Sequence, residues 1–416
     1  MNMHSKLGAD VVANERSYRR PEKPVVVICI DGSEPGYIER AIEKGLCPNL
    51  DRIMKTGANT TALSVIPSFT NPNNLSIITG RPPAWHGIAG NFFYDREAKE
   101  EVMMNDARFL RAPTILAEFQ KAGCKVAMVT AKDKLRTLLG KGLDFSSGTA
   151  IAFSSEKADK ANKAENGIDN VLDFVGLPVP EVYSADLSEF VFAAGVKLLK
   201  TFQPDVMYLS TTDYVQHKAA PGSEIANSFY KMFDRYVGEL DALGCTLVMT
   251  ADHGMNDKHL ADGQPDVIYL QEILDEKFGA GATRVILPIT DPYVAHHGAL
   301  GSFATVYVDA DKSQAVIDLV KGIEGVEVAI PAKEACERFE LPADRIGDVV
   351  VLSGKHKVLG TAAAKHDLSG LTEPLRSHGG LTEQTVPMIA NRKIEVPAGR
   401  TLRNFDVFDV ALNLVR

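Results

Sequence analysis

The chain has 416 residues, 45% hydrophobic and 24% charged, ordinary proportions for a globular protein with a large core and two or three domains. Its net charge of -9 excludes the basic footprint of a nucleic-acid or anionic-membrane binder, although a single cleft can still be cationic. No run approaches the ~18 consecutive apolar residues that a membrane span requires.

Residues 1–23 are polar and predict an arm over the surface; no apolar segment follows Arg19 and Arg20, so a secretory leader is not expected. Pro24 to Ile30 is a continuous, largely β-branched run of the kind buried on both faces in a parallel sheet, and it stops at Asp31-Gly32. Pro35 to Lys44 predicts a short helix with proline in its first turn, and Cys47 to Asp51 opens another. Thr61 to Ile66 predicts a second strand. Pro72 then stands near the start of a helical pattern (Leu75, Ile77, Ile78) that ends at Thr79-Gly80, which puts Thr70 at or just before a helix N-terminus. Lys125 to Thr130 and Asp205 to Ser210 predict further buried strands, the first followed by Lys132 and Lys134, the second by Asp213. A long amphipathic helix, Ile225 through Leu243, leads past Gly244 into Cys245 to Thr250, and that strand ends at Asp252-His253-Gly254. Strands alternating with helices predict an α/β fold with a doubly wound, mostly parallel sheet, in which ligands bind beyond the carboxyl ends of the strands. Asp31, Lys132, Asp213 and Asp252 all fall there.

After Asp266 the rhythm changes. Arg284 to Leu287, Ser302 to Val308 and Val326 to Ile330 predict strands with a helix over 312–323, so residues 267–345 are expected to form a small inserted α+β cap domain. The core domain is then 24–266 and 346–416, with the parallel rhythm resuming at Asp348 to Leu352. Lys355 to His366 predicts a loop, and Ser377-His378-Gly379-Gly380 a turn before a strand at Val386 to Ala390. The five cysteines (Cys29, Cys47, Cys124, Cys245, Cys336) are scattered without a C-x-x-C pair and read as core thiols of a reducing compartment, hence a cytoplasmic location.

Taken singly, Asp31-Gly32 reads as a turn, Asp213 as a helix cap and His378 as a loop histidine. Together they recur at corresponding places on one rim of one sheet, and Asp213 and His217, at i and i+4, project from one helical face. Three carboxylates (Asp31, Asp213, Asp252) and three imidazoles (His217, His253, His378) exceed the ligand set of one tetrahedral ion. Two ions with mixed Asp/His ligands use all six, and paired metals serve to clamp the oxygens of a phosphoryl displacement.

Phe69-Thr70-Asn71-Pro72, Asp213-x-x-x-His217, Ala251-Asp252-His253-Gly254 and His378-Gly379 stand in the order found in the alkaline phosphatase superfamily, which the chain resembles over about residues 24–390. Asn91-Phe-Phe-Tyr-Asp95 resembles the nucleotide pyrophosphatase/phosphodiesterase branch. Within that branch, the lysine pair resembles that of the compact cytoplasmic hydrolases acting on phosphonoacetate. The resemblance implies two Zn²⁺ per chain, one held by Asp213, His217 and His378, the other by Asp31, Asp252, His253 and the Thr70 oxygen. It also implies Thr70 as nucleophile of a phosphothreonine intermediate that metal-activated water resolves. Asn91 and the amide after Thr70 would donate to the phosphoryl oxygens, and His217 and His378 would adjoin the substrate.

Lys132 and Lys134, at i and i+2 beyond a strand, face one side if the strand continues; their other reading is as solvated surface lysines. In the family they would bind the carboxylate of phosphonoacetate and stabilise the enolate left when its C–P bond breaks. Arg284, His296 and His297 of the cap are candidates to reach that carboxylate, and Tyr214 to line the pocket. A nucleotide pyrophosphatase/phosphodiesterase remains a rival with the same metals and nucleophile, its nucleoside slot built from Phe92, Phe93 and Tyr94. A non-catalytic metal-binding protein is a rival from another class, and it leaves Thr70 without a purpose. The expected partner is a small anionic phosphonate, with no nucleic acid and no membrane; a homodimer is compatible with a sequence that carries no handle on oligomeric state.

Overall fold

The computed structural model describes residues 9–289 and 298–416. The strands used below are Val25–Cys29 (β1), Ala58–Leu63 (β2), Val126–Thr130 (β3), Ala150–Ser154 (β4), Val206–Ser210 (β5), Thr246–Thr250 (β6), Thr283–Ile286 (β7), Phe303–Val308 (β8), Val326–Pro331 (β9), Val349–Ser353 (β10) and Thr385–Ala390 (β11). Seven of them form one sheet in the order β2-β11-β6-β1-β5-β3-β4, parallel except for β11, which runs antiparallel between β2 and β6. Every residue of β1, β3, β4 and β5 is buried, as expected of strands covered on both faces.

Six helices position the site: Pro35–Glu43 (α1), Thr70–Thr79 (α2), Asp133–Leu139 (α3), Asp186–Thr201 (α4), Tyr214–Lys218 (α5) and Glu224–Ala242 (α6). On one face of the sheet, Val26, Ile28, Met207 and Leu209 pack with Ile38 of α1, Phe190 of α4 and Phe233 of α6. On the other, Val25, Val27 and Tyr208 pack with Leu75 and Ile78 of α2 and with Phe408 near the C-terminus. From residue 9 onward the N-terminal arm is docked: Val11–Ala13 and Arg16–Tyr18 form a hairpin, Tyr18 is buried, and Arg16 pairs with Asp406 at 2.7 Å.

β4 has no clear signature in the sequence, because Ala-Ile-Ala-Phe-Ser offers one β-branched residue in five. β2 ends earlier than Ile66. Val65 donates its amide to the Asn73 side chain at 2.7 Å, so an asparagine of α2 replaces a ladder partner there.

The second sheet is antiparallel, in the order β7-β8-β10-β9. β10 pairs with both β8 and β9, so the parallel rhythm does not resume at Asp348. A fully buried Val-Val-Val-Leu run has the same pattern in either sheet, and its burial alone cannot name its neighbours. The segment predicted as a loop at 355–366 contains the strand Val358–Gly360, which pairs in parallel with Val267–Tyr269. The chain rejoins the main sheet only at β11. Ile66 and Phe69, just before α2, belong to the core of this second sheet, which therefore packs directly on the segment that carries Thr70.

Candidate active site

The parallel strands are aligned at their ends: Cys29 lies opposite Ser210 and Thr250, and Ser210 opposite Thr130. The segments that follow therefore leave one rim together. Asp31 follows β1, Lys132 follows β3, Asp213 follows β5, and Asp252 and His253 follow β6. Gly32 has φ +69°, and a Cβ there would lie 2.9 Å from that of Asp213, so glycine permits the two carboxylate segments to approach. Asp213 stands at the N-cap of α5 and His217 one turn on, with His217 Nε2 2.9 Å from Asp213 Oδ2. His378 Nε2 approaches the same oxygen at 3.6 Å. Gly379, at φ +120°, has no room for a side chain beside Phe69.

All three histidines have Nδ1 on a backbone carbonyl: His217 on Arg376 at 2.8 Å, His253 on Gly254 at 2.9 Å and His378 on Ser68 at 2.7 Å. A carbonyl only accepts, so Nδ1 carries a proton in each ring and Nε2 is the atom turned into the site, where it can ligate a metal once it has no proton of its own. Those nitrogens face carboxylates. His253 Nε2 lies 3.3 Å from Asp31 Oδ1 and 3.7 Å from Asp252 Oδ2. Burial, reinforced by His253 and His217, holds His378 well below the usual imidazole range, and burial with Asp213 and Asp252 nearby pushes Asp31 well above the usual carboxylate range. Burial also raises Asp213, but His217, with His378 and His253, outweighs it and keeps that carboxyl well below its ordinary value.

Among the described residues, two groups of donors lie close enough to share an ion each: Asp213, His217 and His378, and Asp31, Asp213 and His253. Asp31 Oδ1 is buried with no hydrogen-bond partner. A buried carboxylate oxygen left without a hydrogen bond beside imidazole nitrogens is unfavourable alone and fits a divalent cation between them, with oxygen and nitrogen donors suited to zinc. Asp213 lies in both groups, whereas the expected partition gives it to one ion. Asp252 is engaged on both oxygens, Oδ1 accepting from the amides of Gly32 and His253 and Oδ2 from Asn74 Nδ2 at 3.0 Å.

Thr70 is the first residue of α2, after an extended Phe69 that supplies no side-chain cap. Its Oγ1 lies 3.3 Å from His253 Nε2. Pro72 has no N–H, which leaves the amides of Thr70 and Asn71 as first-turn donors. Asn91 Oδ1 accepts from Asn71 Nδ2 at 2.6 Å, and Asn91 Nδ2 donates to Ile289 O at the long distance of 3.4 Å.

A cavity of about 250 Å³ is lined together by Asp31, Thr70, Asn91, Asp213, His217 and His378, with Lys132 and Lys134 on its wall. The lysines arrive there by a different route from the one expected. The strand ends at Thr130, Lys132 is the N-cap of α3 and Lys134 its second residue, so helix entry and not strand alternation aims them. Lys132 Nζ donates to Val182 O at 3.2 Å and lies 5.5 Å from the Tyr183 ring. Tyr183 and Tyr214 both line the cavity.

Phe92, Phe93 and Tyr94 do not line it. Phe93 packs on Phe109, Tyr94 on Tyr307 of the cap, and Phe92 faces a separate cavity. Arg284 lines that other cavity too, pairs with Glu101 at 2.9 Å and does not reach the site; His296 and His297 lie outside the described residues. The supporting asparagines escaped the sequence reading. Asn74 donates to Asp252 and to Thr70 O, while its own oxygen accepts from Tyr208 and Ser210; Asn404 donates to the backbone of Asp252. Their signal is Asn71, Asn73 and Asn74 crowded into one helix, where asparagine is a poor former unless its amide serves another segment.

A family model for type I phosphodiesterase / nucleotide pyrophosphatase matches residues 25–381. Crystal structures of phosphonoacetate hydrolase from Sinorhizobium meliloti 1021, in complex with phosphonoformate and with phosphonoacetate, are 62% identical to the chain. They cover 97% of it and 98% of their own chains, with TM-scores of 0.95 and 0.94. Murine ectonucleotide pyrophosphatase / phosphodiesterase 5, 19% identical over 94% of this chain and 96% of its own with TM-score 0.63, shares the fold. A venom phosphodiesterase of Macrovipera lebetinus is 25% identical over 245 residues, 56% of this chain but 26% of its own length, so the chain spans about a quarter of that relative. With the family model matching most of its length, the chain belongs to the type I phosphodiesterase / nucleotide pyrophosphatase family.

Proposed function

We propose that the chain hydrolyses the C–P bond of phosphonoacetate to acetate and phosphate, with Thr70 as nucleophile and two bound zinc ions. The observation that carries this reading is one cavity lined at once by Thr70, Asn91, ligands of both donor groups and the two lysines. The 62% identity to a phosphonoacetate hydrolase over nearly the whole chain supports it. Zinc held by Asp213, His217 and His378, and by Asp31, Asp252, His253 and the Thr70 oxygen, would neutralise phosphonate charge and favour the threonine alkoxide.

Thr70 Oγ1 forms a bond to phosphorus as the C–P bond breaks, while Asn91 and the first-turn amides of α2 hold the phosphoryl oxygens. The bonding pair passes to the methylene carbon and spreads into the carboxylate, where Lys132 and Lys134 stabilise the enolate until carbon takes a proton. Water then attacks the phosphothreonine, the Thr70 oxygen leaves and recovers its proton, and phosphate is released. The cap, here the described residues of 267–345 together with β10, excludes water from the site during reaction. A cytoplasmic location accompanies this reading, supported by five unpaired cysteines. No helix among the described residues is long and apolar enough to cross a membrane.

The phosphodiesterase reading has the family's support, but the aromatic residues assigned to a nucleoside slot face elsewhere. Phosphate release from phosphonoacetate, phosphonoacetaldehyde, 2-aminoethylphosphonate and a nitrophenyl phosphodiester separates the two. Selective release from phosphonoacetate is expected, with a loss of several orders of magnitude in Thr70→Ala that retains its metal. Preferential turnover of the diester, or full activity of Thr70→Ala, would sink the assignment.

A further inference from the structure

We propose that Lys258 and Glu383, a fully buried ion pair outside the catalytic cavity, are positioning residues that lock both histidine loops and the cap into one register. The inference rests on the metal reading given above. Each partner stands five residues beyond a histidine of the site, Lys258 after His253 and Glu383 after His378. Both side chains have 0% exposure, with Nζ 3.1 Å from Glu383 Oε1.

The carboxylate is saturated by the two loops themselves. Oε1 also accepts from Asn256 Nδ2 and Thr382 Oγ1, both at 2.6 Å, and Oε2 accepts from the Gly380 amide at 2.9 Å. The Glu383 carbonyl accepts from the Gly254 amide at 2.7 Å, and the Gly254 carbonyl is the one that orients the His253 ring. Asn256–Asp257 pairs with Arg376–Ser377, so the loops are also joined just before His378.

Lys258 extends the connection to the cap. Its Nζ donates to Ser302 Oγ at 2.7 Å, and Ser302 precedes β8. Ser302 donates its amide to His378 O at 2.9 Å and accepts from the Ser353 amide, at the end of β10, at 3.0 Å. The two central cap strands thus meet the His378 backbone through one serine that the lysine fixes. Apolar residues of equal size can match a buried ion pair in stability, so stability does not account for one here; register does.

The test uses the full chain as wild type, Glu383→Gln, Lys258→Met and the charge-free double variant Lys258→Met/Glu383→Gln. Zn²⁺ affinity is measured by chelator competition and the metal-free thermal midpoint by unfolding. Both single variants are expected to bind Zn²⁺ about 10- to 100-fold more weakly. The double variant, which buries no unpaired charge, should regain the midpoint of wild type but not its affinity. Affinity that recovers with the midpoint, or single variants within about twofold of wild type, would overturn the proposal, since a pair acting only through folding behaves that way. The wild-type titration separately tests whether the site binds zinc at all, and none of these readouts depends on phosphonoacetate being the substrate.

Discussion

Lys132 and Lys134 occupy the only part of the proposed chemistry that a phosphodiester would not need. Phosphonoacetate sets a carboxylate beside its phosphonate, and the electron pair released on C–P cleavage ends on that side of the molecule. Lys132→Ala and Lys134→Ala should each lower kcat/KM for phosphonoacetate by about 10- to 100-fold, the worth of a charge-assisted hydrogen bond of about 1.5–3 kcal/mol. Turnover of a nitrophenyl phosphodiester should change far less. Parallel steady-state assays on both substrates check this, and equal losses on the two would reduce the lysines to general anion attraction. Residues of this kind were legible in the sequence because each follows directly on an apolar run: Asp31, Lys132, Asp213 and Asp252 can be placed on one rim from strand pattern alone. Asn71, Asn74 and Asn404 could not be placed, because their partners are 20 to 178 residues away and no local pattern records such a bond.

The helix α2 does more than present Thr70. Asn74, one turn on, bonds Thr70 O at 3.1 Å and Asp252 Oδ2 at 3.0 Å, and takes the hydroxyls of Tyr208 and Ser210 at 2.7 and 3.0 Å. Two hydroxyls on its oxygen force its NH₂ toward the carboxylate. Asn74→Leu is expected to leave both hydroxyls and one Asp252 oxygen without this partner, at a cost of about 1–3 kcal/mol per buried group. On the two-zinc proposal, it should weaken binding at Asp31, Asp252 and His253 while sparing binding at Asp213, His217 and His378. Zn²⁺ titration that shows one tight and one weakened site would bear this out; two unchanged sites would refute it. The same scale shows why element type is easier to read than element partners. β1, β3, β5 and β6 were legible from their apolar runs, and α6 from its period. β10 was legible as a strand but not as a cap strand, because its ladder to β8 and β9 is set by tertiary pairing, and the alanine-rich β4 left no pattern to read.

Across the whole molecule, a chain with net charge -9 gathers three carboxylates at one rim and packs a second sheet against the adjoining segment. Without a cation, burial and the neighbouring Asp213 and Asp252 leave Asp31 with a raised pKa. A carboxyl raised in the folded state holds a proton that the unfolded chain gives up. Its contribution is therefore fully present below the unfolded value near pH ~3.9 and is lost as pH rises through the folded value. Metal removal should thus lower the thermal midpoint at neutral pH, and saturation at about 100 times Kd should restore about 2.7 kcal/mol per site. Asp31→Asn removes the titration while keeping a side chain of the same shape, whose NH₂ can donate to His253 Nε2. In the presence of chelator this variant should be more stable than wild type, by a margin that widens from about pH 4 upward. With zinc it should be less stable, because one ligand is gone. Thermal unfolding of both proteins across pH, with and without metal, reads this crossing directly. A variant less stable than wild type under both conditions would mean that the Asp31 carboxylate stabilises the fold by itself and is not held in place for a cation.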